Sequence, residues 1–173
     1  PLTIEEVDIA PPLDKEVVVR SVASGVCHSD VHFWEGHYPM RTPAILGHES
    51  AGIVEAIGKD VTYVQPGDHV ILCVSVFCGQ CRQCLSGHPH LCEDMDVRRR
   101  PRSEAPRLSM QGKPVTQLAS IGGYAEKMIT HENGVVKIDN DYPLDRAALI
   151  GCGVTTGLGA ALNTAKVEPG SSV

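Results

Sequence analysis

Short runs of β-branched residues alternate with turn signals through the first half of the chain. Glu16–Val22, Ala51–Ile57 and His69–Val74 are rich in valine and isoleucine and read as strands. Pro11-Pro12, Gly58-Lys59-Asp60 and Pro66-Gly67-Asp68 punctuate them. A second strand set is predicted at Gly123–Ile129 and Val135–Ile138. Many short strands at this spacing suggest a barrel, so the fold class is mainly β with short helices.

Helical signals come late. Pro143–Leu149 places a proline at a helix start with good helix formers after it. Thr155–Lys166 carries Leu158, Ala161, Leu162 and Ala165 at helical spacing. Residues 93–118 are polar, arginine-rich and proline-containing, and are expected to form a long excursion ordered only where it packs. The chain shows no internal repeat.

Composition narrows the function classes. An apolar content of 42% is enough for a core, and with only 4% aromatics that core is expected to be Val, Ile, Leu and Ala. No apolar run approaches the length needed to span a membrane. A net charge of -6 argues against a nucleic-acid partner. The run Arg98-Arg99-Arg100-Pro101-Arg102 is the local exception; without interleaved aromatics it reads as a solvated loop.

The cysteines carry the chemistry. Cys78, Cys81, Cys84 and Cys92 follow the spacing Cys-x2-Cys-x2-Cys-x7-Cys. Four thiolates in one short loop match the all-sulfur tetrahedral set of a structural Zn2+. Gly79, Gly87 and Pro89 mark the segment as a knuckled loop without helix or strand periodicity. Unrelated thiols or a disulfide framework are the alternatives, and a domain of this size needs no such staples. Cys27, His48 and Cys152, far apart in sequence, could close three sides of a second site. Three ligands and an open position would make it a catalytic zinc. A buried thiol and a hydrogen-bonded histidine would account for the same residues. Cys73, in the apolar run Val70–Val74, is expected to be a small core residue. Reduced thiols kept for metal lead us to expect a cytoplasmic protein.

Cys27-His28-Ser29-Asp30-x-His32, then Gly47-His48-Glu49, then the four-cysteine loop, then Gly151-Cys152-Gly153-Val154-Thr155-Thr156-Gly157 resemble, in order and spacing, the zinc-dependent alcohol dehydrogenases of the medium-chain dehydrogenase superfamily. The resemblance covers nearly the whole chain. It implies a GroES-like, partly open β-barrel as catalytic domain over 1–150, with 151–173 as a linking helix toward a dinucleotide-binding Rossmann domain. It implies two zinc ions per chain: a catalytic one on Cys27, His48 and Cys152, and a structural one on Cys78, Cys81, Cys84 and Cys92. Asp30 would accept the second N–H of His48, and Glu49 would lie near the metal without being a permanent ligand. Ser29 and His32 would relay the alcohol proton to solvent. His28 and Thr156 would touch NAD or NADP. Trp34 and Val74 would line the pocket for a small alcohol or aldehyde, and the intact protein would be a homo-oligomer. A zinc-binding module without catalysis, or a GroES-like scaffold, is the competing reading.

The glycine-rich stretch Gly151–Gly159 lacks a preceding strand, so it does not read as a phosphate-binding turn. With no such turn elsewhere and no opening methionine or strand, the chain is expected to be a fragment. Such a fragment would be inactive alone and would carry an open sheet edge and an apolar patch.

Overall fold

A computed structural model describes residues 2–101 and 103–172. Arg102 of the basic run and Val173 at the chain end lie outside the described residues. The chain begins with β1 (Asp8–Ile9), β2 (Glu16–Gly25) and helix α1 (His28–Glu35). Strands β3 (Ala44–Ile45), β4 (Glu49–Ile57) and β5 (His69–Leu72) lead to helix α2 (Arg82–Leu85). Next come β6 (Leu108–Met110), β7 (Lys113–Pro114), β8 (Thr116–Gln117), β9 (Lys127–His131) and β10 (Val135–Ile138). Helices α3 (Leu144–Ala147) and α4 (Gly153–Gly159) follow.

The frame is a five-stranded antiparallel sheet in the order β10-β5-β4-β2-β9. Its two edge strands do not pair with each other, so the sheet is open. Strands β1, β6 and β7 form a small antiparallel sheet, and β3 and β8 pair in parallel.

The valine run of β2 is continuous because both of its faces are covered. Val17 and Val19 enter the main core with Val54, Val70, Leu72, Met128 and Val135. Val18 points the other way, against Leu108, Val115 and Ile129. On β5, Val70 and Leu72 join the main core, whereas Ile71 packs with Ala51, Leu144, Ala147 and Ala148 under α3. The period of two along each strand thus divides the residues between layers.

Several sequence expectations need correction. Strand β9 runs Lys127–His131 and not Gly123–Ile129, because Gly122 and Gly123 are used for close approach to Ile45 and Ser50. Strand β5 stops at Leu72, and Cys73 is half-buried, outside the core, its N–H bonded to Gly134 O at 2.9 Å. The excursion over 93–118 contains strands β6 to β8. Within the basic run, Arg100 is not solvated. Its side chain is 5% exposed and pairs with Glu16, which Arg107 Nε also reaches at 2.7 Å. Arg107 in turn donates to the carbonyls of Arg98 and Val97. Burial alone would raise the Glu16 carboxyl; the hydrogen bonds from Arg100 and Arg107 outweigh it and hold the group below its ordinary value. The predicted helix over 155–166 is α4 followed by a π-helical turn, Ala160–Thr164, and its apolar residues Leu158 and Leu162 face outward.

Candidate metal centres

The first centre gathers residues from three parts of the chain. Cys27 lies just past the end of β2 and immediately before α1. The Asp30 carboxylate, at the third position of α1, accepts the Cys27 backbone N–H at 3.1 Å, which fixes the helix start. His48 precedes β4, and Glu49 opens that strand. Cys152 stands between α3 and α4, at the entry to α4. Ligand atoms of Cys27, His48, Glu49 and Cys152 all lie within 4.8 Å of one another, and His48 and Glu49 are buried.

Glycines allow this convergence. Gly47 has φ 88°, and a Cβ there would stand 2.6 Å from Tyr124 Cδ1. Gly151 runs so close to the Leu72 carbonyl that a Cβ would collide with it. That approach brings Cys152 down onto the end of β5.

Asp30 is the hub of the centre. It is 3% exposed. Its Oδ1 accepts Gly47 N–H at 2.9 Å and lies 3.3 Å from His48 Nδ1; its Oδ2 accepts the Tyr124 hydroxyl at 3.1 Å. Bonded to Asp30 through Nδ1–H, His48 presents Nε2 as its lone-pair nitrogen. Sequence reading passes over Tyr124, because an aromatic in a strand-like run reads as packing.

The donor set fits a dication. Burial, then the neighbouring Cys27 and Glu49, push the Cys152 thiol up to about 11. Crowded thiolates and a carboxylate repel one another until a positive charge stands among them.

The second centre holds Cys78, Cys81, Cys84 and Cys92. Sulfur separations are 3.5 Å for Cys81–Cys84, 3.9 Å for Cys78–Cys84 and 4.0 Å for Cys81–Cys92. Four sulfurs at ~2.3 Å from one zinc stand about 3.8 Å apart in a tetrahedron. These separations fit that tetrahedron and exclude disulfides, whose sulfurs are ~2.05 Å apart. Backbone N–H groups of Gln80 and Cys81 point at Cys78 Sγ, and that of Cys78 points at Cys92 Sγ. The N–H of Cys84 draws the Cys81 thiol down to about 6, whereas burial pushes the neighbouring Cys84 thiol up to about 11. The segment is more structured than its sequence suggests. Cys81 caps α2, Pro89–Leu91 form a 3-10 turn, and Val76, Cys92 and Val97 are buried together against Phe77.

The other candidates lie on α1, on α4 and after β5. Ser29 and His32 are half-buried, one turn apart on α1. His28 is exposed and stacks on His32 with ring centroids 4.6 Å apart. Thr156 is exposed on α4. Trp34 is 54% exposed and Val74 37% exposed, so among the described residues neither closes a pocket.

The family model for the alcohol dehydrogenase GroES-like domain matches residues 13–140. An alcohol dehydrogenase class-3 of Oryza sativa subsp. japonica is 44% identical over 178 residues, taking in 100% of this chain and 47% of that protein. The crystal structure of an alcohol dehydrogenase zinc-binding domain protein from Burkholderia ambifaria superposes with a TM-score of 0.87 at 36% identity, over 99% of this chain and 48% of that one. Benzyl alcohol dehydrogenase from Acinetobacter calcoaceticus gives a TM-score of 0.82 at 38% identity, over 96% and 45%. The chain spans about half the length of the curated relatives it matches.

Proposed function

The chain belongs to the alcohol dehydrogenase GroES-like domain family, and from that premise we propose that residues 1–150 are the zinc-binding catalytic domain of an alcohol dehydrogenase. Residues 151–173 then lead toward a cofactor-binding half. The reaction converts an alcohol and NAD(P)+ into an aldehyde or ketone, NAD(P)H and a proton. The single observation that carries this reading is the convergence of Cys27, His48 and Cys152 within 4.8 Å.

On this reading Cys27, His48 and Cys152 hold the catalytic zinc, and Cys78, Cys81, Cys84 and Cys92 the structural one. Two thiolates and an imidazole suit zinc, which when bound acts as a Lewis acid toward the substrate oxygen. The chain's own residues do the rest. Asp30 fixes the His48 tautomer. Glu49, buried beside Cys152, adds negative charge next to the donors and is not counted as a permanent ligand. Ser29 takes the hydroxyl proton and His32 delivers it to solvent; a histidine titrates near neutrality and suits that last step. His28 and Thr156 border the cofactor, and Trp34 and Val74 border the substrate. The preferred substrate class is a small alcohol or aldehyde. We further read the whole protein as a cytoplasmic homo-oligomer; no single helix among the described residues is long and apolar enough to cross a membrane.

The test joins this chain to the cofactor-binding half of a curated relative and measures alcohol-dependent NAD(P)H formation. Turnover that is lost in Cys27→Ala, while one zinc per chain persists, supports the reading. Turnover indifferent to Cys27→Ala rejects it.

A further inference from the structure

At the end of helix α1 stands a cluster whose donors belong to neither cysteine centre, although one of them, His32, also ends the proton relay proposed above. One ring nitrogen of His32, one carboxylate oxygen of Glu35 and one ring nitrogen of His37 lie within 4.8 Å of one another. His32 and Glu35 are three apart on the helix and share a face. Gly36 then ends the helix at φ 82°, and the chain turns back so that His37 N–H bonds the His32 carbonyl at 2.9 Å. That turn sets the His37 ring edge-on to His32, with centroids 5.6 Å apart.

From this arrangement we propose a third metal site, formed by His32, Glu35 and His37, for one divalent transition ion of the Zn2+ or Ni2+ type. The donor set is two imidazoles and one carboxylate, which suits such ions and leaves the remaining positions to water. The site is already assembled. Glu35 Oε2 stands 3.2 Å from His37 Nε2. The His32 ring is held between His28, stacked at 4.6 Å, and Tyr38, edge-on at 5.1 Å. A second observation points to a ligand. His32 Nδ1 is buried and has no hydrogen-bond partner among the described residues, so this nitrogen is left for a ligand to satisfy. Access is open, since the side chains of His37 and Glu35 are 63% and 48% exposed. Another exposed histidine pair, His88 and His90, has centroids 5.9 Å apart and joins no three-donor cluster among the described residues. The proposal stands without the dehydrogenase reading, and under that reading an ion on His32 would block the last step of the relay.

The experiment uses the full chain with its cysteine centres first saturated with zinc and excess metal removed. Zn2+ is then titrated by calorimetry, with nitrogen NMR of the histidine rings. The expected result is one further equivalent that perturbs the His32 and His37 rings. It should weaken more than about 10-fold in His37→Ala and in Glu35→Gln. His37 and Glu35 are exposed, and unchanged zinc retention at the cysteine centres checks that the variants fold. Binding that stops at the cysteine centres overturns the proposal. So does a further equivalent that survives the double variant, or one that disappears in His90→Ala.

Discussion

The Tyr124 hydroxyl donates to Asp30 Oδ2 at 3.1 Å, from the far side of the carboxylate that orients His48. The tyrosine ring also lies against Gly47, the residue before the histidine. One aromatic side chain therefore braces both the ligand's backbone and the acceptor that sets its tautomer. Burial, then the Asp30 charge, raise the Tyr124 phenol above its ordinary value, so it stays a donor at any working pH.

Tyr124→Phe keeps the ring against Gly47 and deletes the hydrogen bond. Global stability should fall by only about 1 kcal/mol. Zinc at the first centre should dissociate faster, by less than the roughly 10–100-fold loss of affinity expected on removing Asp30 itself. Stopped-flow transfer of zinc to a chromogenic chelator measures this. An unchanged rate would mean that Asp30 needs no brace.

Cys84→Ala should release the zinc of the second centre and lower the melting temperature. Val76 and Val97 alone bury too little around this loop to hold it without metal. Metal analysis and calorimetry on the same sample would check it, and a variant with wild-type zinc content and melting temperature would refute it.

Glu16→Gln should destabilise the chain by about 3–5 kcal/mol near neutral pH, because Arg100 and Arg107 are left buried against a neutral group. The Glu16 carboxyl is held below its ordinary value in the fold. Its contribution is therefore complete above the unfolded value near 4.5 and is lost as pH falls through the lower, folded one. Urea unfolding at pH 7 and pH 3 should show the gap between wild type and variant narrowing at the acid end. A gap independent of pH would contradict the assignment.

Metal at the first centre should leave before metal at the second under mild chelation. Cys152 enters an exposed helix, whereas Cys92 is buried in its own cluster. The Cys152 thiol of the first centre and the Cys84 thiol of the second are both raised to about 11 and must lose their protons to bind, so both centres should weaken as pH falls. Zinc counts after graded chelator treatment at pH 6 and pH 8 test both statements.

Strand existence was legible in the sequence because β2, β4 and β5 repeat valine and isoleucine with few interruptions. Their ends were less so. Glycines at 122 and 123 look like strand residues until the backbone they must approach is known. Helix α1 was not legible. His28-Ser29-Asp30-Val31-His32-Phe33-Trp34-Glu35 has no clear apolar stripe, and only Asp30 at the helix start and Gly36 at its end mark it. Cys78, Cys81, Cys84 and Cys92 stood out by type and spacing, whereas Cys27, His48 and Cys152 were joined only through the family resemblance. Tyr124 and the Glu16–Arg100–Arg107 tie did not, since each joins positions remote in sequence through one side chain that nothing local requires.

Cys27 and Cys152 stand near opposite ends of the described chain, whereas Cys78 and Cys92 belong to one short loop. As knots in a polymer, the two centres are therefore unequal. An ion clasping Cys27 to Cys152 would close most of the chain into a ring, and if it stayed bound on unfolding that ring would remove conformational freedom worth about 5 kcal/mol, against about 3 kcal/mol for the short loop. Should chelation empty the first centre before the second, the ion held less firmly would be the one whose loss most enlarges the space the unfolded chain can explore.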